Sequence, residues 1–230
     1  MTPPSPERQR RFSLTRILLA SFSLVIGVTL IQVVLDPSIQ SQGLTTEVQN
    51  SLPYSGVKNP VTAVLLNFRG YDTLLEVAVL LLAVFGVWSL ESPSIFSSAS
   101  SPTDPGLVLI GLVRVLLPVI LIVSAYLLWL GAFAPGGAFQ GGAILAAGGL
   151  LLLLSNKLKP AQVNRRLWRL LLVFGFGVFL VISVGVMPIT AHLLAYPPDQ
   201  AGGLILLIEA TLTVSIACIL VTLFIGRPFQ

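Results

Sequence analysis

The chain has 230 residues, 55% of them hydrophobic and only 10% charged, with a mean hydropathy of +0.93 and a formal net charge of +4. A soluble globular domain carries roughly 25% charged residues, so this stock cannot cover a water-facing surface, and the chain belongs in a bilayer. The positive charge is accounted for by membrane topology and anionic headgroups, and no nucleic-acid partner is read from it.

A spanning helix needs about 20 mostly apolar residues. Six runs qualify: Ser13–Leu35, Asp72–Leu90, Gly106–Phe133, Pro135–Ser155, Arg169–Met187 and Gly202–Ile225. Arg8, Arg10, Arg11 and Arg16 make the first run resemble a secretory signal. Its apolar stretch exceeds the ~7–15 residues of a signal core and no small-x-small site closes it, so it reads as a retained helix. Continuous apolar runs exclude a barrel, whose strands alternate. The expected fold is an all-α, multi-pass membrane protein of about six transmembrane helices.

With the N-terminus inside, the cytoplasmic segments receive those four arginines, then Lys157, Lys159, Arg165, Arg166, Arg169 and finally Arg227, which is ten of the 13 basic residues. The opposite side receives Lys58 and Arg69, and Arg114 falls within a helix. This bias places both termini in the cytoplasm of a cell (inner) membrane protein.

Two polar stretches punctuate the chain. Asp36–Pro60 contains Pro37, Gly43, Pro53, Gly56 and Pro60 and reads as an external loop. Glu91–Pro105, "ESPSIFSSASSPTDP", reads as a linker. The expected organisation is a tail at 1–12, an N-terminal membrane unit at 13–90 with an external segment at 36–71, the linker at 91–105, and a four-helix unit at 106–230. No internal repeat stands out.

In the N-terminal unit, Pro60–Phe68 has apolar content for a short helix at or re-entering the outer face, and Arg69-Gly70 breaks it. Asp72 is expected to N-cap the next helix. Glu76 lies one turn further on the same face, ahead of 14 uncharged residues from Val77 to Leu90. A carboxylate at full membrane depth costs about 2.5–3.5 kcal/mol on insertion scales, so Glu76 must face protein or water. It is either an interfacial partner of Arg69 or a station on an ion path.

Arg114, eight residues past Gly106, can snorkel or serve as a cationic partner for an acid on a neighbouring helix. Pro118 has no N–H for the Arg114 carbonyl, which predicts a kink.

The stretch "PGGAFQGG", Pro135–Gly142, gathers helix-weakening residues where a helix should begin. Pro135 fits a first helical turn. Beyond Gly136 and Gly137, the small residues Ala138, Gly142, Ala146 and Gly149, with Gly141 beside them, line one side of the helix and admit close approach of another. Gln140 is then placed to hydrogen-bond across that contact.

Glu209, seven residues past Gly202, is followed by Thr211, Thr213 and Ser215, with Thr213 on its own face. That pattern suits a hydrated proton relay or a satisfied buried acid. Cys218 reads as a small buried residue. Phosphate-loop, dinucleotide and Cys/His metal patterns are missing from the sequence; Ser183 and His192 fall on different elements without an oxyanion glycine pattern, and His192 reads as interfacial. No enzyme activity, cofactor or metal site is expected.

"PGGAFQGGAILAAGGLLLLL", with "VRVLLPVILIVSAYLLWLGAFAPGG" before it, resembles the B subunit (MnhB) of Mrp-type multisubunit Na+/H+ antiporters, over roughly Gly106–Gly226. "NPVTAVLLNFRGYDTLLEVAVLLLAVFGV" resembles the C-terminal membrane region of the Mrp A subunit, which is also a small separate subunit in membrane-bound hydrogenases. The chain therefore looks like a fusion of the two. The resemblance implies a subunit of a hetero-oligomeric complex that exchanges Na+ for protons, with Glu76 on the ion path and Arg69 and Asp72 matching its basic-acidic pair. Ala132, Phe133 and Ala138 depart from the family's usual His or Asn and third glycine.

Two readings follow. In one, the chain helps to translocate ions, with Glu76 and Glu209 protonatable and Arg114 tuning the field. In the other it is a purely structural subunit bridging larger subunits of an antiporter, hydrogenase or complex I-like arm.

Overall fold

A computed structural model of the chain describes residues 6–35, 43–90, 106–159 and 163–226. The segment read as a linker, 91–105, lies outside the described residues, as does Arg227. The described helices are α1 (Pro6–Leu35), α2 (Thr45–Ser51), α3 (Pro60–Thr62) leading directly into a π-helical segment (Ala63–Phe68), α4 (Gly70–Ser89), α5 (Leu107–Leu130), α6 (Ala138–Leu154), α7 (Arg165–Thr190) and α8 (Pro198–Ile225). The fold is all-α: every regular element among the described residues is helical.

Two compact units are present, residues 1–46 and 47–230. In the first, α1 starts at Pro6, seven residues before the expected Ser13, so its backbone already includes the positions of the basic cluster. From Arg16 to Leu35 its side chains are exposed, apart from half-buried Gly27. A helix apolar on every side and without a core of its own is at home in lipid.

The second unit is organised around α8. Ile205, Ile208, Leu212, Ile216 and Ile219 are at most 1% exposed. They are enclosed by α4, α6 and α7, and α5 packs mainly on α6. In lipid, such contacts are driven by van der Waals fit, which favours small residues at crossings. The expected small face of α6 is that crossing: Ala138 and Ala146 are buried, a Cβ on Gly142 would lie 3.0 Å from Ile216, and one on Gly149 2.8 Å from Val221. Gly141 and Gly148 instead face α5, where a Cβ would meet the Ser124 carbonyl at 3.0 Å and Ile120 at 3.0 Å. The Ser124 hydroxyl donates to the Gly141 carbonyl (2.8 Å). Gly175 gives α7 an equally close seat on α8, its virtual Cβ 2.8 Å from the Leu212 Cα.

Five helical segments, within α1 and at α4, α5, α7 and α8, have the length and apolarity to cross a membrane. The expected sixth, α6, has 17 residues, about 25 Å at 1.5 Å per residue and short of a ~30 Å hydrocarbon core. It is short because Pro135 does not enter its first turn: residues 131–137 stay outside the regular helix, and α6 begins at Ala138.

Two further boundaries move. Asp72 is not the N-cap of α4; the helix begins at Gly70 after Arg69, whose φ of −128° and ψ of 35° break the preceding π segment. The stretch read as an external loop holds α2 and a 3₁₀ turn at Leu52–Tyr54, and ends in the core, with Ser55, Val57 and Asn59 buried. Gly56, at φ +75°, lets this segment lie against α8, since a Cβ there would fall 2.5 Å from that of Ala201.

Candidate functional site

Glu209 is carried by the central helix and is 4% exposed. Its carboxylate accepts the backbone N–H of Ala138, the first residue of α6, while Oε2 has no hydrogen-bond partner. The first N–H groups of a helix lack intrahelical acceptors and carry its positive dipole end, so a carboxylate is a natural cap. The peptide approaches this carboxylate closely only because it lacks side chains there. A Cβ on Gly137 would lie 2.5 Å from Oε1, and one on Gly131 3.3 Å from it. Gly137 also adopts φ +110° and ψ −166°, a conformation reserved for glycine. One on Gly136 would fall 2.5 Å from the Leu127 carbonyl.

The 131–137 turn is held from outside its own helices. The Asn59 amide donates to the carbonyls of Gly131 (3.1 Å) and Ala134 (2.8 Å), and the Thr62 hydroxyl donates to Gly131 (2.6 Å). The backbone N–H groups of Lys58 and Asn59 both donate to the Ala132 carbonyl. Asn59 is placed for this by its second task, capping α3 through the Val61 N–H, with Pro60 fixing the first turn.

Between this turn, α3 and α4 lies a cavity of about 300 Å³ whose lining includes Asn59, Thr62, Thr73, Glu76, Gln140 and Glu209. The two intramembrane acids, 133 positions apart in the sequence, thus share one space. Glu76 reaches it from α4 and is otherwise exposed. The π segment shapes its wall: Thr73 donates to the Leu65 carbonyl (2.6 Å) across the break. Such π segments recur at functional sites.

The remaining candidates fall elsewhere. Arg69 pairs with Asp72, not with Glu76, and that pair is 65% and 45% exposed and off the cavity. Arg114 is exposed on α5, forms no ion pair with a described carboxylate, and does not line the cavity. Gln140 is exposed and lines the cavity, so it does not bridge the α6–α8 crossing as expected. Pro135 and Gly136 line it too, so the turn belongs to the site as well as to packing. The hydroxyls after Glu209 donate to backbone carbonyls: Thr213 to that of Glu209, Thr211 to those of Leu207 and Ile208, and Ser215 to that of Leu172. Ser183 is buried and donates to the Phe179 carbonyl, while His192 is exposed. Cys218 is buried, as expected.

The chemistry available is oxygen and amide only: the carboxylates of Glu76 and Glu209, the amides of Asn59 and Gln140, hydroxyls and turn backbone. No group of three His, Cys, Asp or Glu residues suited to a metal occurs among the described residues. Sequence reasoning missed Asn59, Thr62 and Gly131. The Asn-Pro cap at 59–60 was a legible signal for the first, but its bonds to residues 72 and 75 positions away were not.

Over residues 108–226 the chain matches the family described as a domain related to the MnhB subunit of Na+/H+ antiporter. No curated protein matches it. Two solved structures are similar in fold. One is a chain of the membrane-bound sulfane sulfur reductase, an archaeal respiratory membrane complex, at TM-score 0.69 and 24% identity over 93% of this chain and 97% of that one. The other is a chain of the Mrp complex from Dietzia sp. DQ12-45-1b, at TM-score 0.66 and 20% identity over 100% of this chain and 27% of that longer one.

Proposed function

Because the chain belongs to the family of domains related to the MnhB subunit of Na+/H+ antiporters, we propose that it is an integral subunit of a multisubunit cation/proton antiporter-like complex, and that the Glu76–Glu209 cavity is a station for a proton or Na+ within it. One observation carries this reading. Glu209 is buried with one carboxylate oxygen bonded to Ala138 and the other without a partner, beside a cavity that a second acid also lines. Most buried side-chain oxygens find a hydrogen-bond partner, so an acid that keeps one free beside a cavity favours a station over a helix cap alone. The unpartnered oxygen is where a proton or a small hard cation finds its ligand.

The finer assignments rest on the same footing. The antiparallel pairing of α5 with α6 and of α7 with α8, with Lys58 bonded to Ala132 and Gly70 against Leu194, puts Lys157, Lys159, Arg165, Arg166 and Arg169 at one end of the unit and Lys58, Arg69 and Asp199 at the other. The basic bias then supports a cytoplasmic location for the first end in an inner cell membrane. The match of the whole chain within one longer chain of the Mrp complex supports the fused arrangement of an A-type segment ahead of a B-type unit. Other antiporter-type subunits are the partners this implies.

A bridging role has one observation in its favour, the helix cap that Glu209 gives α6. The two roles separate by carbodiimide labelling of the assembled complex, with the modified residues located by mass spectrometry. Labelling at Glu209 or Glu76 that falls as Na+ is added supports a station; labelling indifferent to Na+ and to pH supports the bridge alone.

A further inference from the structure

Away from the carboxylate cavity, the last turns of α4 and the first turns of α7 enclose a second space of about 300 Å³. We propose that this groove binds one anionic phospholipid, its acyl chain lying between the apolar walls and its phosphate held by the Arg169 guanidinium and the Trp88 indole N–H.

The walls are Leu81 and Val84 from α4 and Leu172 and Val173 from α7, with Trp88 and Arg169 toward one end. Trp88 Nε1 is buried and has no acceptor. The Trp88 ring packs at a near-right angle to that of Phe85, their centroids 5.9 Å apart. A buried donor left unpaired calls for an acceptor. Arg169 is exposed and forms no ion pair with a described carboxylate. The described charges at this end, Lys157, Lys159, Arg165 and Arg166, are likewise cationic. Glu76 is twelve residues before Trp88, about 18 Å back along α4, too far to neutralise Arg169.

Geometry also orients the ligand. Trp88 is one residue from the end of α4 and Arg169 is the fifth residue of α7, so the two polar groups stand at the mouth of the groove. Leu81 and Val173 lie deeper. An amphiphile with a negative head and an apolar tail matches this order, whereas free phosphate leaves the walls unused. The surplus of cations selects an anionic headgroup, and basic pockets between spanning helices are a recurrent headgroup site.

The test uses the assembled, purified complex in neutral detergent, titrated with phosphatidylglycerol or phosphatidylcholine, with bound lipid counted by native mass spectrometry. Wild type should retain phosphatidylglycerol in preference to phosphatidylcholine. Arg169→Ala should weaken it by about fivefold to tenfold, while Lys58→Ala, at the opposite end, leaves it unchanged. Val173→Trp fills the groove without altering charge and should abolish the tight lipid even where Arg169→Ala lowers complex yield. Equal retention of the two lipids, unaltered binding in both groove variants, or a photocrosslinker at position 173 that captures polypeptide in place of lipid would each overturn the proposal.

Discussion

Glu209 on the central helix accepts the backbone N–H of Ala138, so one carboxylate both caps α6 and stands in the wall of the cavity that Glu76 shares. The PGG turn before α6 is shaped by this bond. Its glycines admit the carboxylate, and the resulting non-helical turn shortens α6 to 17 residues.

Gly137→Ala should therefore be among the most damaging single-methyl changes in the chain. The new Cβ would stand 2.5 Å from Oε1 on a backbone at φ +110°, costing about 1–3 kcal/mol for the conformation alone. Thermal unfolding of the complex should report the loss. Gly203→Ala on α8, where a Cβ meets nothing within 4 Å, is the matched control and should melt as wild type does.

Removing the amide at position 59 tests how the turn is held. Asn59→Ala leaves the Ala134 carbonyl without its side-chain donor, at about 1–3 kcal/mol for a buried group left unsatisfied, and leaves the Gly131 carbonyl to the Thr62 hydroxyl alone. Hydrogen exchange at the Gly137 amide, which donates to the Leu127 carbonyl, should accelerate; unchanged protection would mean that the turn is rigid by itself.

At the α6–α8 crossing, Gly142→Leu should prevent assembly, because even the Cβ comes within 3.1 Å of the Thr213 carbonyl and 3.0 Å of Ile216. Gly177→Leu, with open space around its Cβ, should assemble normally. Native gels of the two variants make the comparison.

The Arg69–Asp72 pair should matter little. It is largely exposed, off the cavity, and of the kind worth about 0–1 kcal/mol. Arg69→Ala should leave both melting temperature and ion exchange close to wild type; a severe loss of exchange would extend the path to the outer end of α4.

Much of the fold could be read from apolar run length, because each spanning helix satisfies its own backbone in lipid and announces itself locally. The small-residue face of α6 was equally legible, since 142, 146 and 149 share a side at helical spacing. What escaped depends on contacts between distant segments. Nothing near Pro135 says that a carboxylate 74 positions later occupies the space where its neighbours would carry side chains. For the same reason Pro135 looked like a first-turn proline and Gln140 like a bridge. The choice of partner for Arg69 was ambiguous because Asp72 and Glu76 lie on one face, and the helix start at Gly70 put Asp72 nearest.

The most direct measurement is dye-reported cation/proton exchange in vesicles carrying the complex with Glu209→Gln, alongside complex yield. Glutamine keeps an oxygen for the Ala138 N–H but cannot titrate or carry charge. Exchange should fall at least about tenfold, some 1.4 kcal/mol in the barrier, while the complex assembles at wild-type yield. Normal exchange at normal yield would contradict the account.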